Sequence, residues 1–150
     1  VGAWDHAHAW MDYQLPVGED VYIYYGGYKN GHKVNRWEER QIGLVRMKRD
    51  RYVARQTRSG EGRLKTPPIL LGGSRMTINA EVEGTIHVRL LDASGVPVEG
   101  FAWDDCQGVH GDSVSHAVRW KGGRGLPAGE VVHVEFWLKD AALYGFELVE

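Results

Sequence analysis

The sequence predicts an all-β protein: an antiparallel β-sandwich with two or three further strands at its N-terminal end. Apolar residues do not keep helical spacing over any long window free of glycine or proline. Strand-like segments instead recur about every 10–15 residues, with turn residues between them. The chain has 150 residues, of which 43% are hydrophobic. A chain of this length can bury a core without help from a disulfide or a metal ion.

The first 55 residues contain two clear strand candidates and a short third one. Residues 20–26 (DVYIYYG) are rich in β-branched and aromatic side chains, and residues 41–47 (QIGLVRM) are typical of a mostly buried strand. The short candidate covers residues 51–55. Trp4 and Trp10 lie in contexts that resemble loops.

Alternation of apolar and polar residues is clearest in the C-terminal part. Every second residue is apolar in residues 76–82, 86–90 and 132–138. A period of two with one apolar face predicts antiparallel strands that are buried on one side only. Several such strands must bury their apolar faces against each other, so a two-sheet sandwich is expected.

A boundary between two parts is expected near residue 50. Residues 48–51 are a run of charges, and residues 55–63 are polar and contain two glycines. We therefore divide the chain into an N-terminal part, residues 1–50, and a sandwich domain, residues 51–150. Two or three strands cannot build an independent core. The first part is thus predicted to pack on the rest of the chain or on a partner.

Composition argues against two classes of protein. Eighteen basic and twenty acidic side chains give a net charge of −2, whereas nucleic-acid-binding proteins concentrate positive charge. No apolar run approaches the roughly 18 residues of a membrane span. The single cysteine, Cys106, is expected to be a partly buried structural thiol.

Catalytic motifs are missing from the sequence, and metal-site candidates are few. The spacing around Ser113 does not form a nucleophile elbow, and there is no phosphate-binding loop or dinucleotide fingerprint. His6 and His8 would point to one side of an extended strand, where two histidines can share a zinc ion. Asp105 and Asp112 are candidate calcium ligands, with turn-forming aspartates as the alternative.

Tryptophans are the most informative candidates for ligand contacts, because indole rings stack on the C–H faces of sugars. Trp137 falls on the polar face of its predicted strand, beyond His133 and Glu135. A ring there either forms a platform for a ligand or is buried by another segment, and we expect burial against the N-terminal part. Trp103 lies in a loop-like context and is the other candidate in this half.

Several segments resemble the end of a glycoside hydrolase of the β-fructosidase-like (family 32-like) group. In the first third these are residues 24–28 (YYGGY), 31–32 (GH), 42–44 (IGL) and 50–53 (DRYV). Further along they are residues 91–101 (LDASGVPVEGF), 105–106 (DC), 111–113 (GDS), 118–122 (VRWKG) and 138–146 (LKDAALYGF). In that family the last propeller blade runs into a C-terminal sandwich, so the resemblance implies a jelly-roll or concanavalin-like sandwich preceded by the end of a blade.

The resemblance also implies what this stretch lacks. The family's three catalytic carboxylates lie in Asn-Asp-Pro, Arg-Asp-Pro and Glu-Cys motifs, and none of these occurs here. Trp4 and Asp5 resemble a Trp-Asp pair at the mouth of the propeller funnel, and His32 is a further candidate ligand contact. Because the chain starts without methionine or a leader pattern, we interpret it as a piece of a longer or processed protein.

We therefore expect a non-catalytic accessory module with a structural or weak carbohydrate-binding role, joined to a catalytic propeller domain. Two alternatives stay open. The module pairs strands with a partner or with itself as a homo-oligomer, or it is a small glycoside hydrolase that uses Asp5. Apart from a zinc ion shared by His6 and His8, no cofactor other than calcium is suggested. If the parent protein is secreted, the compartment is extracellular or periplasmic.

Overall fold

The computed structural model describes residues 2–34 and 38–150 of the chain. These residues belong to two compact units, Val1–Arg49 and Asp50–Glu150. Both units are built from antiparallel strands, which confirms the predicted all-β class. Within the described residues no helix is long or apolar enough to span a membrane.

The first unit is a three-stranded meander. Its strands are β1 (His8–Val17), β2 (Asp20–Tyr28) and β3 (Arg40–Lys48), in the sheet order β1-β2-β3. The strands predicted at residues 20–26 and 41–47 are present, each slightly longer than expected. The prediction that residues 41–47 are mostly buried is wrong, because most side chains of β3 are exposed, Ile42 and Leu44 among them. The loop predicted around Trp10 is wrong, because Trp10 lies inside β1, opposite Gly26. Strand β1 was missed because nearly all of its side chains are exposed and a bulge after Met11 breaks its alternation.

The second unit contains six strands around two long central ones. They are β4 (Arg55–Gln56), β5 (Glu61–Lys65), β6 (Ile69–Leu70), β7 (Arg75–Leu91), β8 (Val109–Val118) and β9 (Val131–Val149). The order is β4-β9-β7-β8, and β5 and β6 also pair with β9. Short 3₁₀ turns cover Trp103–Asp105 and Lys121–Gly123.

The strand predicted at residues 51–55 is largely wrong, because pairing starts only at Arg55. Asp50 has a φ of 61°, which turns the chain away from extended geometry. The Arg51 side chain, rather than its backbone, joins the sheet: it donates to Asn79 at 2.8 Å. A short polar segment can therefore be tied to a sheet without being a strand.

Strand β7 unites the two alternating segments 76–82 and 86–90, which face the same core. Its register with β9 shifts between Val82 and Thr85, where a bulge bends the sheet. Gly84 lies at this bend, and a Cβ there would be 2.3 Å from the carbonyl oxygen of Lys139. Glycine therefore permits the close approach of β9 at the point where the sheet changes direction.

One continuous core lies inside the bent sheet, consistent with the predicted sandwich. The expected alternation is confirmed: Ile86, Val88 and Leu90 are fully buried, while the residues between them are only partly so. The largest fully buried side chains include Trp120, Phe136, Leu71, Met76 and Ile78. The opposite, outer face of the sheet is thus left to polar and aromatic side chains.

Candidate functional site

Pairing of β5, β9 and β7 places a row of polar and aromatic residues across the outer face of the second unit. Arg63 lies opposite Trp137, and Trp137 lies opposite His87. Phe136 and Leu138, the neighbours of Trp137 in β9, point into the core. Trp137 therefore points to the outer face, and so do Arg63 and His87, which lie directly opposite it. The row is therefore a direct consequence of strand register.

A second row lies beside the first and holds a charged pair. Arg89 on β7 and Glu135 on β9 are directly opposite each other, and their side chains form a salt bridge of 2.6 Å. The guanidinium of Arg89 also lies 4.5 Å from the centre of the Trp103 ring, a cation–π contact. The 3₁₀ turn that carries Trp103 is thus held against the outer face of the sheet.

Together these elements surround a shallow depression of about 530 Å³. Two tryptophans line it, Trp103 and Trp137, although 33 positions of the sequence separate them. Its other lining residues are His87, Asp104, Cys106 and Lys121. We call this the Trp103–Trp137 groove.

The two tryptophans and the histidine of the groove are held in place by specific contacts. The indole Nε1 of Trp137 donates to a carboxylate oxygen of Glu61 at 3.2 Å. The rings of Trp137 and His87 lie 5.4 Å apart. The Nδ1 of His87 lies 3.4 Å from the carbonyl oxygen of Trp103. The groove is thus connected across β5, β9, β7 and the 3₁₀ turn.

This arrangement combines apolar ring faces with a few polar groups. Asp104 and Lys121 are exposed side chains of opposite charge at the groove. Pockets of this kind bind small molecules by stacking and by directional hydrogen bonds. The thiol of Cys106 has a different environment: burial raises its pKa, and it accepts a hydrogen bond from the backbone N–H of Val88 at 3.3 Å.

The prediction that Trp137 lies on the polar face of its strand is confirmed. Its burial against the N-terminal part stays a prediction. Its described partners, Glu61 and His87, both belong to the second unit. His87 and Lys121 were missed as site residues. The signal for His87 was its place on the polar face of a strand, but only the pairing of β7 with β9 puts it opposite Trp137.

The N-terminal candidates Trp4 and Asp5 lie together at one face of the small sheet. The Trp4 ring stacks on Tyr25 with 5.7 Å between centroids. The Tyr25 hydroxyl donates to a carboxylate oxygen of Asp5 at 2.6 Å, and this bond raises the pKa of Tyr25. The carboxylate proposed for a substrate contact is thus engaged within its own unit.

His32 is not brought together with Trp4 and Asp5. It contacts Tyr28 and His8, with ring centroids 6.0 and 5.1 Å away. Tyr28 points to the face of β2 opposite to that of Tyr25, because the two are three residues apart in a strand. The candidate contacts from the first unit therefore occupy two faces of one sheet.

The candidate metal ligands are likewise separated. The Nδ1 of His6 lies 2.6 Å from the carbonyl oxygen of Ala3, and His8 is in the aromatic cluster with His32. Asp105 accepts a hydrogen bond from the backbone of Ala102 at 3.0 Å, and Asp112 pairs with Arg51 at 2.5 Å. Across residues 2–34 and 38–150, no three His, Cys, Asp or Glu side chains are grouped as a metal site would require. Calcium binding stays a prediction.

Comparison of the chain with protein-family models, with curated proteins and with solved structures finds no match in any of the three.

Proposed function

We propose that the second unit is a non-catalytic carbohydrate-binding module, which binds a sugar in the Trp103–Trp137 groove. The observation that carries this proposal is the meeting of two partly exposed tryptophans at one polar depression. Sugar rings present apolar C–H faces and hydroxyl groups. The aromatic rings would stack on the former, and His87, Asp104 and Lys121 would bond the latter.

The rigidity of the groove supports binding. Trp137 is held by Glu61, and Trp103 by Arg89, which is itself paired with Glu135. Side chains that are ordered before binding lose less conformational entropy when a ligand arrives. The same contacts favour binding over hydrolysis, since Glu61 and Glu135 are engaged with protein groups. Retaining and inverting glycosidases need two carboxylates about 5–9.5 Å apart at the bond that breaks.

A glycan array followed by titration calorimetry tests this proposal. The ligand set includes fructo-oligosaccharides, because the sequence resembles the end of a β-fructosidase-like protein. We expect weak binding that Trp137→Ala and Trp103→Ala each reduce by about three- to tenfold, the value of one aromatic contact. Trp10→Ala is the matched control, because Trp10 is an exposed tryptophan of the other unit.

Circular dichroism melting of each variant excludes loss of fold as the cause of weaker binding. The proposal fails if millimolar sugars give no heat with the intact chain. It also fails if Trp10→Ala weakens binding as much as the two groove substitutions, since the ligand would then not be in the groove.

Self-association through the first unit is a second candidate function, supported by an exposed apolar surface. One face of the three-stranded sheet carries Trp10, Tyr13, Leu15, Ile42 and Leu44, which are 55%, 63%, 41%, 79% and 50% exposed. Strand register places all five on the same side of the sheet. Contiguous apolar surface of this kind marks interaction sites. In a symmetric dimer such a face would pack against its own copy.

Light scattering over a range of concentrations tests this second candidate. A dimer that Ile42→Asp converts to a monomer is the expected result. A monomer at all concentrations up to about 1 mM, where even weak association is populated, contradicts it.

A further inference from the structure

Another cavity of the second unit lies where the start of β7 meets the end of β8, and its volume is about 390 Å³. Pockets that bind small molecules span roughly 300–1,000 Å³. Three arginines line the cavity, Arg75, Arg119 and Arg124, and none of its described lining residues is Asp or Glu. These lining residues all differ from those of the Trp103–Trp137 groove. We call this site the three-arginine pocket.

Strand pairing brings Arg75 and Arg119 side by side. Met76 lies opposite Val118 in the pair of β7 with β8, and both are buried in the core. Arg75 and Arg119 are the next residues beyond this pair, so both side chains point to the outer face, where they are exposed. Like charges at neighbouring positions of a sheet repel each other and destabilise the pairing. An anion bound between the two arginines would remove this repulsion.

Arg124 reaches the pocket from the loop that follows the 3₁₀ turn. The backbone N–H of Leu126 donates to the carbonyl oxygen of Ser74 at 2.7 Å, which ties this loop to the start of β7. A Cβ at Gly100 would be only 2.9 Å from Cδ, Nε and Nη1 of Arg124. Because Gly100 has no side chain, the Arg124 side chain can lie against its backbone. Packing thus positions this third arginine.

The positive charge of the pocket is not neutralised by carboxylates of the protein. Among the described residues, Arg119 and Arg124 form no salt bridge and no side-chain hydrogen bond. Arg75 donates from Nε to the backbone carbonyl oxygen of Glu150 at 2.8 Å, which holds its side chain in place. Glu147 lies on β9, opposite Thr77, but in the described part of the chain it forms no salt bridge with these arginines. The pocket is thus positive although the whole chain has a net charge of −2.

This charge and chemistry fit a phosphate group. The planar guanidinium binds oxyanions through paired N–H donors, which makes arginine the preferred partner of phosphate and carboxylate. A phosphate group carries a charge of about −1.5 to −2 at pH 7 and has three strong acceptor oxygens, so it suits several guanidiniums better than one carboxylate does. Ser74, Thr77 and Gln107 add hydroxyl and amide groups to the lining.

We propose that Arg75, Arg119 and Arg124 bind a phosphate group in the three-arginine pocket, either as the free anion or as the head group of a small organic ester. The cavity has room for an ester, since one water molecule takes up only about 30 Å³ of the liquid. This site does not depend on sugar binding in the groove.

Titration calorimetry of the 150-residue chain, in phosphate-free buffer of low ionic strength, tests the proposal with inorganic phosphate and with glycerol phosphate. Tighter binding of glycerol phosphate would identify an ester as the ligand, and tighter binding of inorganic phosphate the free anion. We expect Arg119→Gln and Arg124→Gln each to weaken binding by about tenfold or more, the value of one charge-assisted hydrogen bond. Arg63→Gln, which alters an exposed arginine on β5, is the matched control and should leave binding unchanged.

Thermal melting supplies a second measurement and checks the fold of each variant. Phosphate should raise the melting temperature of the intact chain, because a ligand that binds only the native state stabilises it. The folded double variant Arg119→Gln/Arg124→Gln should show no such rise. Sodium chloride at the same ionic strength controls for screening of the arginine charges and should have a smaller effect.

Three results would overturn the proposal. The first is that tens of millimolar phosphate or glycerol phosphate give neither heat nor a higher melting temperature with the intact chain. The second is that chloride stabilises the chain as much as phosphate does, since the effect would then be screening alone. The third is that the double variant binds phosphate as tightly as the intact chain does.

Discussion

His87 on β7 and Trp137 on β9 face each other directly, with their ring centroids 5.4 Å apart and their planes inclined by 54°. Glu61 on β5 accepts the indole N–H of Trp137 from the other side. Three strands therefore position one aromatic ring at the surface. The orientation of this ring therefore depends on the pairing of β5 with β9.

Glu61→Ala should release the indole of Trp137 without unfolding the unit, because Glu61 is exposed. In a ¹H–¹⁵N spectrum we expect the indole N–H signal of Trp137, assigned through Trp137→Phe, to move. Glu147→Ala, an exposed glutamate elsewhere on β9, should leave that signal in place. An unmoved indole signal in Glu61→Ala would show that the bond does not form in solution.

Arg51 anchors the start of the second unit to the outer face of β7 and β8. Its side chain is only 6% exposed and binds Glu81 at 2.7 Å and Asp112 at 2.5 Å. It also lies 4.9 Å from the centre of the Tyr144 ring. The pair partners are about half exposed, so water can solvate them if the arginine is lost.

Arg51→Met should therefore lower the free energy of unfolding by about 2–3 kcal/mol, less than the roughly 3–5 kcal/mol of breaking a fully buried ion pair. Urea denaturation measures this change. Arg119→Met alters an exposed arginine of the same unit and should cost no more than about 0.5 kcal/mol. Equal effects of the two substitutions would contradict the anchoring role of Arg51.

Two adjacent glycines of β2 should respond differently to alanine. A Cβ at Gly27 would be 2.3 Å from the Trp4 ring, whereas a Cβ at Gly26 makes only ordinary contacts of 3.7 Å or more. Gly27→Ala must displace Trp4 from its place on the sheet and should cost about 1–3 kcal/mol. Gly26→Ala should be much milder. Thermal melting of the two variants compares them, and a larger loss for Gly26→Ala would refute the packing of Trp4 described above.

The hydrogen bond between Tyr25 and Asp5 gives a pH prediction. This bond raises the pKa of Tyr25 above its ordinary value of 10.0, since an ionised tyrosine would face the Asp5 carboxylate. The stabilisation is fully present below about pH 10 and is lost as pH rises through the raised pKa of the folded state. Burial also raises the pKa of Tyr144, so absorbance at 295 nm should show two late-titrating tyrosines, of which Tyr25→Phe removes one. Asp5→Asn should return the pKa of Tyr25 toward 10, and Asp12→Asn should not.

Cys106 should react slowly in the folded protein. Burial raises the pKa of its thiol, so less of the reactive thiolate is present at neutral or mildly alkaline pH. Iodoacetamide labelling followed by mass spectrometry should be slow at pH 8 in buffer and fast in concentrated urea. Equal rates in the two solutions would show that the thiol is accessible.

Local sequence determined the class of the fold because strand alternation is a local property. In residues 132–138 successive side chains alternate between the two faces, and the apolar residues of the inner face, Val132, Val134, Phe136 and Leu138, are all buried. Glu135 on the outer face is buried as well, where it pairs with Arg89. The same logic failed for β5, where Glu61, Arg63 and Lys65 dominate and only Leu64 is apolar. Strand β5 is held in place by its pairing with β9, and its own sequence gives no sign of that pairing.

The sequence by itself thus determined antiparallel strands with one apolar face, and it singled out Trp103 and Trp137 as residues of interest. Only the tertiary structure decided that these two side chains meet at one groove, with His87 directly opposite Trp137. The reason is physical: register between strands far apart in the chain is set by the burial of whole sheets and by bulges such as the one at Gly84. No single segment contains that information.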